Sequence, residues 1–185
     1  MGTATRPVAR AAVARDAGIR HDALRDLLDG AIRGKEIASQ FFGSLVGSVD
    51  DVQLRRCFRR LAQEEWDHRK ILLKHRRELF GRLETGRGAA EPEFVFAALS
   101  RKPQILSADD LKGALRTAIR TEQEAHRFFH EASRNFDDRS VKVFLRILAE
   151  EGLAQVDHLR EALSLVDAGS AVARRRRGGA RNFTN

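Results

Sequence analysis

The chain has 185 residues, a length that suits one domain with a sizeable core. Its net charge of +8 favours solubility and non-specific attraction to polyanions, and its single cysteine, Cys57, excludes an internal disulfide. Every apolar run is shorter than the roughly 18 to 20 residues of a membrane span, and the N-terminus lacks the apolar core of a secretory signal. We therefore expect a cytoplasmic protein without a membrane span.

The first predicted hairpin begins with a helix over residues 21–43, whose apolar residues recur at helical spacing. A second helix, over residues 51–80, follows the short turn "SVDD", so the two should pack antiparallel. Residues 1–20 are rich in arginine and poor in acidic residues, as transit peptides and solvated arms both are. Because every segment of this chain is rich in arginine, we expect a flexible basic arm there.

The third and fourth predicted helices form a second hairpin. The third opens at "SADD", a capping-box pattern with Ser107 at the cap and Asp110 three residues later, and runs to about residue 135. The fourth follows "NFDD" and runs to about residue 166. Residues 81–106 are rich in glycine and proline, which predicts a long crossover with a short helix at "EFVFAAL".

The last segment, residues 169–185, reads "GSAVARRRRGGARNFTN" and has no hydrophobic period, so we expect a disordered basic tail after a domain of residues 21–168. Its candidate polyanion-binding residues are Arg174, Arg175, Arg176, Arg177 and Arg181. A mobile polycation of this kind neutralises phosphates, which makes nucleic acid one candidate partner. An acidic protein partner and a merely solvated charge run are the alternatives.

The two hairpins repeat one another at a shift of 87 residues without a gap. "AIRGKEIASQFF", residues 31–42, falls on "AIRTEQEAHRFF", residues 118–129, and the aspartates of the first turn fall on those of the second. A register that covers both helices and the turn between them indicates a duplicated hairpin. The sequence therefore predicts an all-α four-helix bundle.

The register also locates polar residues on the apolar stripes of the helices. Glu65 and His68 share one face of the second predicted helix, and Glu122 lies on the apolar face of the third. A carboxylate on such a stripe is costly unless it is paired, protonated or bound to a metal. A Glu-x-x-His motif that faces a lone glutamate on a neighbouring helix is the ligand pattern of carboxylate-bridged di-iron bundles.

On the motifs "AIRTEQEAHRFF" and "LAQEEWDHRKIL", and their repeats "AIRGKEIASQFF" and "LAEEGLAQVDHL", the chain resembles a ferritin-like protein of the rubrerythrin type over about residues 24–163. The resemblance implies that each hairpin gives one glutamate from its first helix and a Glu-x-x-His from its second, and that these six residues hold two metals. It also implies iron or manganese, peroxide reduction or oxidation of ferrous iron, and a homodimer.

Carried over position by position, half of this ligand set is present. The matching residues are Glu65, His68 and Glu122. Lys35 and Gly152 stand at two glutamate positions, and Gln155 stands at a histidine position. Gln155 remains a candidate ligand, since the ferritins place a glutamine near their metals. Without the Cys-x-x-Cys pairs of a rubredoxin module, electrons would have to come from another protein or molecule.

Two interpretations follow, and they leave open whether the protein is an enzyme. In the first, it is an iron- or manganese-binding oxidoreductase with a reduced site. In the second, Lys35 forms a buried ion-pair network with Glu65 and Glu122, and the bundle is a metal-free scaffold or a binding partner through its basic tail. The first is the function that the resemblance implies, with the second as its alternative. An ammonium in the site repels divalent cations by several kcal/mol, which favours the metal-free core over an intact di-metal site.

The remaining polar residues near these motifs receive structural interpretations. Glu64 and Glu151 match each other in register and are expected off the ligand stripe, in salt bridges to lysine and arginine side chains. His126 and His130 lie one turn apart and are interpreted as part of a surface stripe, and His158 as a satisfied histidine.

Overall fold

Four α-helices make up most of the protein in the computed structural model. The structure describes the backbone of residues 6–81 and 95–179, and side chains within residues 21–81 and 96–169. The helices are α1 (Arg6–Val46), α2 (Val52–Phe80), α3 (Ala108–Ala132) and α4 (Arg139–Gly179), with a short 3-10 helix at Val95–Leu99. Within those ranges there is no strand. The 3-10 helix confirms the short helix predicted in the crossover.

The helices pack as two hairpins, α1 on α2 and α3 on α4, and α2 also packs on α4. The contacts between α2 and α4 run in opposite chain directions, from His75 on Phe144 at one end to Arg60 near Glu161 at the other. These two helices are therefore antiparallel. The 3-10 helix contacts both α1 and α3 and so bridges the two hairpins on the opposite side. The predicted all-α, ferritin-like four-helix bundle of two hairpins is confirmed.

The starts of three helices are fixed by side-chain caps. Asp51 accepts hydrogen bonds from the backbone N–H groups of Gln53 and Leu54, at 2.8 and 2.9 Å. Asp138 does the same one repeat later for Ser140 and Val141, at 2.8 and 3.0 Å. Such caps satisfy backbone donors that the first turn of a helix leaves unpaired. The repeat thus extends to the atoms that begin the second helix of each hairpin.

The capping box predicted for the third helix is confirmed. The hydroxyl of Ser107 accepts from the backbone N–H of Asp110 and donates to the Asp110 carboxylate, at 3.2 and 2.8 Å. The Asp110 carboxylate also accepts from the N–H of Leu106, one residue before the cap. Because these donors favour the ionised form, the pKa of Asp110 is lowered.

The core lies between the four helices and is built from residues of all of them. Its fully buried apolar side chains include Leu28, Phe42, Phe58, Leu61, Leu72, Leu115, Leu145 and Leu159. Burial of each such side chain stabilises the fold by roughly 1.5–3 kcal/mol. The charged and polar residues discussed below interrupt this apolar interior.

Two helices are longer than the sequence indicated. α1 begins at Arg6, inside the segment expected to be an arm, and α4 continues to Gly179, inside the segment expected to be a tail. The helices extend past their predicted ends because alanine and arginine, which dominate both segments, are strong helix formers, and they outweigh the cost of a glycine. Residues 1–5, 82–94 and 180–185 lie outside the described residues. The flexibility predicted for the two ends stays a prediction.

None of the helices in the described part of the chain contains an apolar window long enough to cross a membrane.

Candidate functional site

A buried cluster of three charged side chains lies at the centre of the bundle. Lys35 comes from α1, Glu65 from α2 and Glu122 from α3. The Lys35 Nζ atom lies 3.0 Å from Glu65 Oε2 and 3.6 Å from Glu122 Oε2. Lys35 is only 2% exposed, and both glutamates are fully buried. The structure therefore brings together the residues of the ion-pair network considered from the sequence.

Burial and charge pull the protonation of this cluster in opposite directions. Burial by itself lowers the pKa of Lys35, but the carboxylates of Glu122 and Glu65 outweigh it, so that the pKa is raised above its usual value. Burial raises the pKa of Glu122 to about 8, although the Lys35 ammonium opposes the shift. Lys35 therefore remains an ammonium near neutral pH, and Glu122 holds a proton there more readily than an ordinary carboxyl group.

The buried polar atoms around this lysine have few hydrogen-bond partners. Apart from the Lys35 ammonium, the carboxylate oxygens of Glu65 and Glu122 have no partner among the side chains that the structure describes. The side-chain amide of Gln155, which is also buried, is unpaired by the same criterion. Buried polar atoms normally have hydrogen-bond partners, so each exception needs a specific explanation. The lysine is thus the main source of compensation for the two carboxylates.

His68 and Glu151 extend the cluster on the side between α2 and α4. The Nε2 atom of His68 lies 3.7 Å from Glu151 Oε2. Burial and the nearby Lys35 ammonium lower the pKa of His68, and burial raises the pKa of Glu151. The cluster therefore contains a third carboxylate that the ligand pattern did not assign to it.

The expectation that Glu151 pairs with a lysine or arginine off the ligand stripe was wrong. A methyl group added at Gly152 would lie 3.2 Å from the Glu122 carbonyl oxygen, so position 152 faces α3 at close range. The preceding residue is rotated by about 100° around α4, which turns Glu151 toward His68 on α2. Its register mate Glu64 faces His158 at 3.5 Å and Arg60 at 3.8 Å. The sequence signal was the glycine, which indicates close approach of two helices.

The crossover covers the cluster with an aromatic ring. The Phe96 ring, 5% exposed, lies with its centroid 5.4 Å from Lys35 Nζ, a distance at which a cation is attracted to a ring. Gly34 makes room for this ring, because a methyl group there would lie 2.3 Å from Phe96 Cδ2. Sequence reasoning missed Phe96 as a site residue, although a glycine beside the buried lysine was a usable signal.

The other candidate residues do not join the site. His126 Nδ1 lies 3.0 Å from the carbonyl oxygen of Ala149, and the His126 ring stacks on His130 at 5.9 Å. Among the described residues, no group of three or more His, Cys, Asp or Glu side chains is arranged to hold a metal ion. The side chains of the tail arginines, residues 174–177 and 181, fall outside the described ones.

Comparison with known proteins agrees with this architecture. The sequence model of the family described as Rubrerythrin matches residues 26–153. The chain belongs to the rubrerythrin family. A hypothetical protein from Pyrococcus furiosus has a similar fold, with a TM-score of 0.65 and 23% identity over 77% of this chain and 89% of the other. A search of curated proteins finds no match.

The residues present do not fit the two-metal group that the rubrerythrin family generally binds. Lys35 places an ammonium between the two carboxylates that correspond to ligands, at 3.0 and 3.6 Å. A methyl group at Gly152 would lie 3.2 Å from the Glu122 carbonyl oxygen and 3.5 Å from Glu122 Oε2, so a side chain there requires its neighbours on α3 to shift. A metal ion bound to these carboxylates would lie close to the Lys35 ammonium, and two positive charges at short range repel strongly in a protein interior. No step through a di-metal centre is derived for this chain.

Proposed function

We propose that this rubrerythrin-family protein works without a di-metal centre, as a scaffold or binding protein whose former metal position is filled by an internal ammonium. The observation that supports the proposal is the placement of Lys35 Nζ within 3.6 Å of both Glu65 and Glu122 in a fully buried position. In this proposal the Lys35–Glu65 ion pair fills the centre of the bundle, and the protein acts through its surface.

The charges of the cluster favour this reading. An unpaired carboxylate in the interior is costly, and a facing ammonium compensates it when geometry and distance are good. Lys35 is charged and lies 3.0 Å from Glu65, and the pKa of Glu122 is raised to about 8. A divalent cation added at the same place meets a positive charge instead of four carboxylates.

The second candidate function is metal binding at a reduced site, with iron or manganese and peroxide or iron oxidation as its chemistry. Unpaired donor atoms on Glu65, Glu122 and Gln155, together with the buried Nδ1 of His68, favour it. Those residues would hold the metal, which would supply redox chemistry when bound. Lys35 would have to leave its present position, and this requirement ranks the candidate second.

Metal retention distinguishes the two candidates. The full chain is loaded anaerobically with ferrous iron, desalted, and analysed for iron per chain beside Glu65→Ala and Lys35→Glu. The proposal predicts that wild type and Glu65→Ala both retain no stoichiometric iron, and that Lys35→Glu retains some. If wild type instead retains one or two irons and Glu65→Ala loses them, the protein is a metal-binding member of the family and the proposal is wrong.

A further inference from the structure

A groove of about 770 Å³ opens at the end of the bundle where the α1–α2 turn meets the start of α3 and the last described turns of α4. Its floor is apolar and includes Leu54, Leu111 and Val166, which belong to the core. Leu106 stands on its rim with 89% of its surface exposed. None of the residues that line the groove belongs to the cluster around Lys35.

The rim of this groove is acidic in a strongly basic protein. Asp50, Asp51 and Asp109 line it, whereas the chain as a whole carries a net charge of +8. The Asp109 side chain is 84% exposed, and its nearest cation, Lys112, is 3.9 Å away. Asp50 is fully exposed and contacts Arg55 at 3.2 Å. Exposed pairs of this kind contribute little, so these aspartates can accept further cations.

Residues 170–177, which follow the last described side chain of α4, combine small or apolar residues with arginines and so complement the apolar floor and acidic rim of the groove. Gly169 lines the groove, and the residues after it read "SAVARRRR", three small or apolar residues at 171–173 and then Arg174–Arg177. α4 continues as a helix to Gly179, so the segment runs on along the helix axis, and the backbone of residue 177 lies about 12 Å beyond Gly169. A continuous helix cannot turn back into the groove beside its own last turns, so we place the matching groove on a second copy.

We propose that the groove binds residues 170–177 of a second copy of this chain, and that each copy places its segment in the groove of the other. Groove and segment lie at the same end of the molecule, so one two-fold axis satisfies both contacts at once. The arginines would meet the acidic rim, and the apolar residues before them would meet the floor. Complementary charges of this kind set partner choice and make association depend on salt.

Sedimentation velocity of the full chain at low and high salt tests the proposal with three variants. The tail variant replaces Arg174, Arg175, Arg176 and Arg177 by glutamate. The groove variant is Asp50→Lys with Asp109→Lys, two exposed positions that cap no helix. The control variant makes the same change in charge at exposed positions of α2, by Arg59→Glu, Lys70→Glu, Lys74→Glu and Arg77→Glu. Circular dichroism shows whether each variant is folded.

The wild type should be a dimer at low salt that dissociates as salt is added. The tail and groove variants should each weaken dimerisation by at least about tenfold, because several opposite-charge contacts become like-charge contacts. The control should dimerise like wild type, and a chain that carries both sets of changes should regain the dimer, since its charges are complementary again.

The proposal is overturned if wild type is monomeric at low salt, or if the dimer persists in the folded groove and tail variants. Binding of a DNA duplex that the tail variant loses while its dimer persists would assign the segment to a polyanion partner and also overturn it. Iron retention by these variants should match wild type in every case, so this test is separate from that of the metal-free core.

Discussion

The two hairpins of the bundle have the same scaffold and opposite charges at the same position. Asp51 and Asp138, one repeat apart, cap their helices with hydrogen bonds of nearly equal length. At the centre, the first hairpin contributes Lys35 where the second contributes Glu122. The residue type at a helix cap is set by the local backbone N–H groups that it pairs with. The residue type at the centre is set by the charged side chains of the other helices. The positive charge of Lys35 in the first hairpin is therefore compensated in part by Glu122 of the second.

The largest effect is expected from removing the cation of the first hairpin. Lys35→Met keeps most of the side-chain volume but leaves Glu65 buried without its partner at 3.0 Å. Breaking a buried pair in this way costs about 3–5 kcal/mol of unfolding free energy. Urea denaturation of the variant measures the loss.

A matched control for that experiment is Lys70→Met, since Lys70 forms an exposed pair with Asp67 on the same hairpin. Its expected cost is less than about 1 kcal/mol. Adding Glu65→Gln to Lys35→Met should recover part of the stability. A Lys35→Met protein as stable as the control would contradict a buried, compensating role for the lysine.

The cover over the lysine gives the next largest effect. Gly34→Ala places a methyl group 2.3 Å from Phe96 Cδ2, so the ring must move. Overpacking of this kind typically costs about 1–3 kcal/mol. Gly113→Ala is the control, because a methyl group there meets no atom within 4 Å and the helix interior gains up to about 1 kcal/mol. Equal stabilities of the two variants would mean that Phe96 does not pack on Gly34.

The carboxyl group of the second hairpin should make stability depend on pH. Burial raises the pKa of Glu122 to about 8, so the folded state binds its proton more tightly than the unfolded state. The resulting stabilisation is complete below the pKa of an unfolded carboxyl group and is lost as the pH rises through about 8. We expect wild type to lose about 1–2 kcal/mol more than Glu122→Gln between about pH 6.5 and pH 8. Thermal unfolding of both proteins measures the difference; identical pH profiles would contradict the raised pKa.

The smallest effects are expected where the hairpins agree. Asp51→Ala and Asp138→Ala each remove a cap that accepts two backbone N–H groups. Each should cost about 1 kcal/mol of unfolding free energy, as cap removal typically does. Chemical denaturation should give similar losses for the two variants. A cost confined to one of them would show that the repeat is not equivalent at its turns.

The bundle, its two hairpins and its helix caps could be predicted from the sequence, because periodicity, turn residues and an internal repeat can be read directly from it. It also selected Lys35, Glu65 and Glu122, the three residues that meet at the centre of the bundle. It failed for Glu151, since its direction depends on how closely Gly152 lets α4 approach α3. It failed for Phe96 too, because the crossover's path over the site is a tertiary feature without a local pattern.

The most direct test of the central claim is thermal unfolding of wild type and Lys35→Glu with and without ferrous iron under anaerobic conditions. If the lysine ammonium stands where a metal charge would be, Lys35→Glu should be strongly destabilised, since it brings three carboxyl groups together, and iron should restore much of its melting temperature. Wild type should not respond to iron. A rise in the melting temperature of wild type with iron, or a Lys35→Glu protein that iron does not stabilise, would contradict the account.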